Sequence, residues 1–265
     1  MGEGDVATAE LILTKGMAEI SEQHPGDPSV ALLCTQLWNI QQEQGSYAAA
    51  LEQARRAYDL MIGHFGEDSA DAAFHGIRLG ISLICNNEDL DRAQELLVYG
   101  GQCAQHNLEI FWTRLQESEA AGQPPEMLGE LATSTKKLMI ALAECNFYGA
   151  IGVVRKAIRD ADELEIAMPD LQEAWMGGVK QMAMALPPEH PMFEIALREL
   201  DRLVPDAAGR PALQAELDGT VQGLRELLYL IKNLPDSMRQ QMEQQQQQQQ
   251  QAAGGEGGGE EPFLP

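Results

Sequence analysis

Apolar residues return every three or four positions along this chain, stop at short polar turns, and resume. Leu33, Leu37 and Ile40 form one such ladder, Ile77, Ile81 and Ile84 a second, and Leu138, Ala141 and Leu142 a third. That spacing is the mark of an amphipathic helix. After each ladder the sequence predicts a turn and then a second helix, which opens with a bulky residue followed by a small one. Tyr47 precedes Ala50, Leu90 precedes Ala93, and Phe147 precedes Ala150. The turn residues fit these roles. Gly45 and Asn87 tolerate the positive φ at a helix exit, whereas Ser46 and Asp89 suit the start of the next helix. Asp27-Pro28 reads as an N-cap with proline in the first turn.

Small residues recur seven apart in these segments: Ala9/Gly16, Ala50/Ala57, Ala93/Gly100 and Ala150/Ala157. Positions seven apart share a helix face two turns on, so small side chains there let a neighbouring helix settle close. The first members lie 41, 43 and then 57 residues apart. Periods of that order belong to helical-hairpin repeats. The longer third interval is explained by an insertion whose loop is "AAGQPPEM" at 120–127.

Further helices are expected outside the hairpins. One spans 107–120, with Leu108, Phe111, Trp112 and Leu115 on a face. Another runs to about Leu186 from the capping-box spacing of Asp170 and Glu173, and Pro187-Pro188 ends it. Two more cover about 190–203 and 212–233. The expected organisation is repeats over 1–106, an inserted helix plus a hairpin over 107–168, capping helices over 169–234, and a tail over 235–265. From about residue 243 the glutamine and glycine runs lack the apolar area to offset ordering entropy, so disorder is expected. Within that tail, "EEPFLP" places Phe263 and Leu264 beside acids, as a short docking peptide would.

Composition sharpens this picture. The chain is 44% hydrophobic but only 5% aromatic, which favours an all-α protein with an alanine- and leucine-rich core. Its formal charge is −23, and residues 1–239 carry −19 of it. Such a surface repels phosphate backbones and anionic lipids, which argues against nucleic-acid and membrane partners. No stretch approaches the roughly 20 apolar residues of a membrane helix. The start lacks a basic leader, and Val6 stands where a myristoylation motif needs serine or threonine. Cys34, Cys85, Cys103 and Cys145 are widely spaced and read as reduced thiols in a cytoplasmic protein.

These hairpins resemble the tetratricopeptide repeat family, in which a small residue opens the second helix, another follows seven later, and the turn is often Gly-x-Tyr, here Gly45-Ser46-Tyr47. The longer interval, with "HPGDPSVA" at 24–31 and its echo "GEDSADAA" at 66–73, is similar to the 42-residue variety of kinesin light chains. The likeness covers about 7–105 and, less fully, 131–160. Glu88 and Cys145 replace the turn glycine in the later units, and the proline that often ends a repeat is missing. The resemblance implies a right-handed superhelical stack with a disordered C-terminal tail. Its concave groove, lined by the first helix of each hairpin, would bind a peptide or helix of another protein.

Residues opposite the core ladders are then the expected groove: Thr35, Gln36, Asn39 and Gln42, next His75, Arg78, Leu79 and Ser82, and last Thr135, Lys136 and Met139. Asn39 suits a peptide backbone, and Arg78 and Lys136 suit an acidic ligand. The lysine–asparagine pattern of a chaperone-tail clamp is not reproduced. Catalytic chemistry finds no support. Phosphate-binding, nucleophile-elbow and zinc-protease motifs are missing, and the five histidines do not pair at ligand spacing. Cys34 and Cys145 fall on apolar helix faces and read as core. Asp160, Asp162 and Glu163 begin like a calcium loop, but Leu164 and Glu165 break it. The leading expectation is a non-enzymatic adaptor or scaffold without cofactor or metal, in a transport, ciliary or other assembly. An obligate subunit whose groove is filled by a neighbour or by its own C-terminal helix is the second, and a regulatory enzyme the third.

Overall fold

The computed structural model describes residues 3–160, 168–187 and 190–233, and among them only helices and short connections occur. The helices are α1 (Glu3–Gln23), α2 (Ser29–Gln44), α3 (Tyr47–Phe65), α4 (Ala70–Asn86), α5 (Leu90–Ala120), α6 (Pro125–Asp160), α7 (Met168–Ala185), α8 (Pro191–Asp206) and α9 (Pro211–Asn233). From α1 to α7 each packs on the next in the chain, and α8 packs on α9. Four longer connections close the fold: α6 on α4, α6 on α8, α7 on α9, and α2 on α8. The calcium-like stretch 160–165 and the tail fall almost wholly outside the described residues.

The expected punctuation is present at the first two hairpins. Gly45 leaves α2 at φ 74°, and its amide and that of Ser46 bond back to the Gln42 and Gln41 carbonyls. Asn87 does the same after α4 at φ 56°, a conformation asparagine tolerates better than most residues. The Asp89 carboxylate accepts from the Arg92 amide at 3.2 Å and caps α5. At α2 the cap position falls on Pro28 rather than on Asp27, whose carboxylate accepts from the Ser29 amide at 2.8 Å from one residue further out. Ser46 departs from expectation: its side chain makes no cap bond.

Two expected breaks do not exist. The segment 107–120 is not a separate helix but the second half of α5, because Gly100-Gly101 lies in a helix packed on both sides. Likewise no turn separates Leu142 from Ala150: α6 runs unbroken for 36 residues. Asn146 could tolerate the positive φ of a helix exit, but Phe147 beside it is fully buried and locked in the core. The Trp175 indole N–H of α7 donates to the Phe147 carbonyl at 3.2 Å, and a Cβ on Gly178 would lie 3.2 Å from that of Phe147. Hence the third pair of helices is α5 and α6 themselves, joined at Ala121–Pro124. Helix α6 is also long and apolar enough, by length and composition, to cross a membrane, which the sequence reading did not register. In this fold 56% of that apolar window is buried.

Helix α8 is held to the preceding helices by arginines. Arg198 donates to the Gln42 and Glu43 carbonyls at 3.2 and 3.1 Å, and Arg202 to the Cys85 carbonyl at 2.9 Å. Arg155 of α6 donates to the Ile84 carbonyl, and Arg210 to the Ala157 carbonyl at 3.0 Å. All these carbonyls lie in the last turns of α2, α4 and α6, at the negative end of the helix dipole, and those of Gln42 and Ile84 accept from the Gly45 and Asn87 amides as well. Thus α8 is fastened over the carboxyl ends of α2 and α4. A buried carboxylate organises the cluster. Glu199 is fully buried, 3.0 Å from Arg202 through either oxygen and 3.4 Å from Arg155.

Candidate partner-binding groove

Helix α2 turns Val30, Ala31, Cys34, Leu37 and Trp38 into the core and leaves Gln36 and Asn39 exposed on the opposite side. Beyond that side lie α1, the middle of α6 and the start of α8. Together they enclose a groove of about 680 Å³, within the range of ligand-sized cavities. Its walls are Ile12 and Leu13 of α1, Ile40 of α2, Ile140 of α6, and Pro191, Met192 and Ile195 of α8. Polar groups interrupt this lining at Gln36, Asn39, Gln42, Glu43, Glu144, Tyr148 and His190.

The eleven residues expected to form a groove divide into three sets. Gln36, Asn39 and Lys136 are exposed, and the first two line this cavity. Arg78 and Met139 are half-buried. Thr35, Gln42, His75, Leu79, Ser82 and Thr135 are buried. The cause lies in α4, which is covered by α3, α5 and α6 and is apolar nearly all round. Its polar residues serve the contact with α2. The Trp38 indole donates to the Ser82 hydroxyl at 2.7 Å, and Thr35 lies 3.5 Å from the His75 ring. Arg78 stacks 5.8 Å over the Trp38 ring and donates to the Phe74 carbonyl at 3.2 Å. It is therefore engaged inside the fold. Gln42 is different: it lines the groove at 3% exposure, and neither atom of its amide has a hydrogen-bond partner. Such an omission costs about 1–3 kcal/mol and calls for an explanation.

Sequence reasoning passed over Glu144, Tyr148, His190 and Met192. A signal existed for Glu144, which falls on the apolar stripe of Ala141, Cys145 and Tyr148, where a solvated carboxylate is out of place. Burial pushes its pKa up to about 7, with Arg78 opposing the rise. Burial, helped by Arg78, pushes His75 down to about 4. His190 is lowered by burial and, less strongly, by Lys136, while Glu43 acts the other way. Burial also raises the thiols of Cys34, Cys85 and Cys145, which opposes thiolate formation. Among the described residues no three His, Cys, Asp or Glu side chains gather as a metal site would.

The two shifts predict opposite pH dependences. His75 binds its proton less readily when folded, so its contribution is present above the ordinary pKa of 6.5 and is lost as pH falls toward 4. Glu144 holds its proton more tightly when folded, so its contribution is present below 4.5 and is lost as pH rises through 7. In wild-type protein these slopes offset between those limits. Glu144→Gln is expected to expose the histidine slope, with stability to urea rising from pH 4.5 to 6.5. An unchanged pH profile in this variant would contradict the placement of Glu144.

The chain is thus an all-helical protein built from neighbouring helix pairs, with a polar-spotted apolar groove on its α2 side. No family model matches it, and no curated protein matches it either.

Proposed function

We propose that this chain is a non-enzymatic scaffold that holds a peptide or helix of another protein in the groove between α1, α2, α6 and α8, within a larger cytoplasmic assembly. The supporting observation is the groove itself, ligand-sized and apolar, with a buried amide on Gln42 that lacks a partner. Extended segments bring backbone N–H and C=O groups that match an amide of that kind. In the finer reading, α2–α3 and α4–α5 are two hairpins of a tetratricopeptide-like superhelical stack. The left-handed turns at Gly45 and Asn87 and the closely approached small residues favour it.

The obligate-subunit reading has its own support. Arg198 and Arg202 already fasten α8 over the ends of α2 and α4, so the chain's own helix covers part of the surface that first helices would offer. What stays open is the α1 side. The test is affinity purification from the native cell, comparing wild type with Asn39→Arg/Ile140→Glu, after circular dichroism has shown equal helix content. A stoichiometric partner held by wild type should be lost from the variant. Recovery of every partner at wild-type levels would reject the groove.

A further inference from the structure

The charge of the groove points to its occupant. Its lining contains two carboxylates, Glu43 and Glu144, and no lysine or arginine. The cations that the sequence suggested for an acidic ligand do not line it. Arg78 is occupied by Trp38 and the Phe74 carbonyl, and Lys136 acts on His190 from outside the lining set. The chain as a whole, with 41 acidic against 18 basic residues, adds a field of the same sign. An acidic segment would meet repulsion from Glu43 and from the chain as a whole and would hold Glu144 protonated, whereas a purely apolar one would leave the buried Gln42 amide without a partner.

We propose that the groove binds an amphipathic segment of a partner protein carrying lysine or arginine beside leucine-like residues. Its apolar side chain rests against Ile12, Ile140 and Met192, its cation faces Glu144, and its main chain meets the Gln42 amide. This rests on the scaffold reading and names the partner's chemistry. Each contact has a separate role. The apolar wall supplies affinity through desolvation, Glu144 selects charge, and Gln42 fixes the register of the bound backbone.

A randomised peptide library displayed on phage and selected on the full chain tests this directly. The enriched peptides should combine lysine or arginine with leucine, isoleucine or phenylalanine. Glu144→Gln and Gln42→Leu should each weaken them by about tenfold. Asn39→Arg, at an exposed position of the groove, should repel them without touching the core. Glu52→Gln, an exposed acid on α3, should leave them unchanged. Acidic peptides that respond to the same substitutions would overturn the partner chemistry and leave the scaffold reading standing. Peptides indifferent to all the groove substitutions, or equally sensitive to Glu52→Gln, would overturn the groove as well. Failure to enrich any peptide would count against both.

Discussion

Glu199→Leu should destabilise the protein to urea by about 3–5 kcal/mol, the usual cost of removing one partner from a buried ion pair. The fully buried Glu199 carboxylate is shared by two arginines that differ in their access to water. Arg202 is 39% exposed at its side chain, stacks 4.4 Å over the Tyr47 ring, and can turn its charge outward. Arg155, at 2%, cannot. Its remaining partners are the Ile84 carbonyl and Asp206 at 3.9 Å, and its Nε already has no hydrogen bond. Loss of Glu199 therefore strands one guanidinium in a low-dielectric interior. The double substitution Arg155→Met/Glu199→Leu should recover much of the loss, because no unpaired charge then stays buried and Arg202 still caps Cys85. If the single and double variants lose equal stability, or if the single loses under about 1 kcal/mol as an exposed pair would, the cluster does not fasten α8.

That cluster also marks where sequence reasoning reached its limit. Helix boundaries in α2, α3, α4, α8 and α9 follow from local chemistry: apolar spacing, glycine or asparagine at an exit, and proline at an entry. Such signals act within a turn or two and can be read in one dimension. Continuity of α6 depended instead on Trp175 and Gly178, which pack on Phe147 some 30 residues away in the chain. The regular interval suggested a turn there, and Asn146 could have made one as Asn87 does after α4, but the packing of Phe147 keeps the helix going. The arginine caps bridge 155 and 156 residues from α8 to α2, a distance at which no periodic pattern operates. A partial sign was nonetheless available. Glu199 interrupts the stripe Ala196, Leu200, Leu203, and Arg155 interrupts Ile151, Val154, Ile158. Opposite charges on two apolar stripes are an invitation to pair them.

The groove was legible only on its α2 wall, at Gln36, Asn39 and Gln42. Its other walls come from α1, α6 and α8, which spacing along α2 cannot place. The expectation that every first helix would offer a polar face also failed to allow for α4, which is enclosed by its neighbours. Ser82 and His75 look like surface residues in sequence because hydroxyl and imidazole groups are usually solvated. Here they bond to or face Trp38 and Thr35, so burial leaves them partnered.

Gly100→Leu should be among the most damaging single substitutions in the α4–α5 pair, and Gly100→Ala should already cost about 1–3 kcal/mol, the range for an overpacked core. A Cβ on Gly100 would lie 2.3 Å from Ile77 Cγ1, 2.9 Å from Ile77 Cδ1 and 3.3 Å from the Ala73 carbonyl oxygen. Ile77 is itself buried, so it has no free volume to yield, and the carbonyl belongs to the backbone of α4. Ala93, seven residues earlier, is fully buried on the same face. The pair therefore permits the approach of α5 to α4. At the first pair the same argument predicts little, because a Cβ on Gly16 meets Leu33 at an ordinary 3.7 Å. Gly63 and Gly129 supply the control. A Cβ there meets nothing within 4 Å, and both substitutions to alanine should stabilise by about 0.5–1 kcal/mol through lower backbone entropy. Melting temperatures by circular dichroism separate the two classes: Gly100→Ala should fall and Gly63→Ala rise. Gly100→Ala/Ile77→Ala, which removes both clashing carbons, should lose less than the sum of the two single losses, since contacting sites are not additive. If Gly100→Ala melts as high as Gly63→Ala, the helices have room to part, and a close approach through small residues does not set the spacing of this pair.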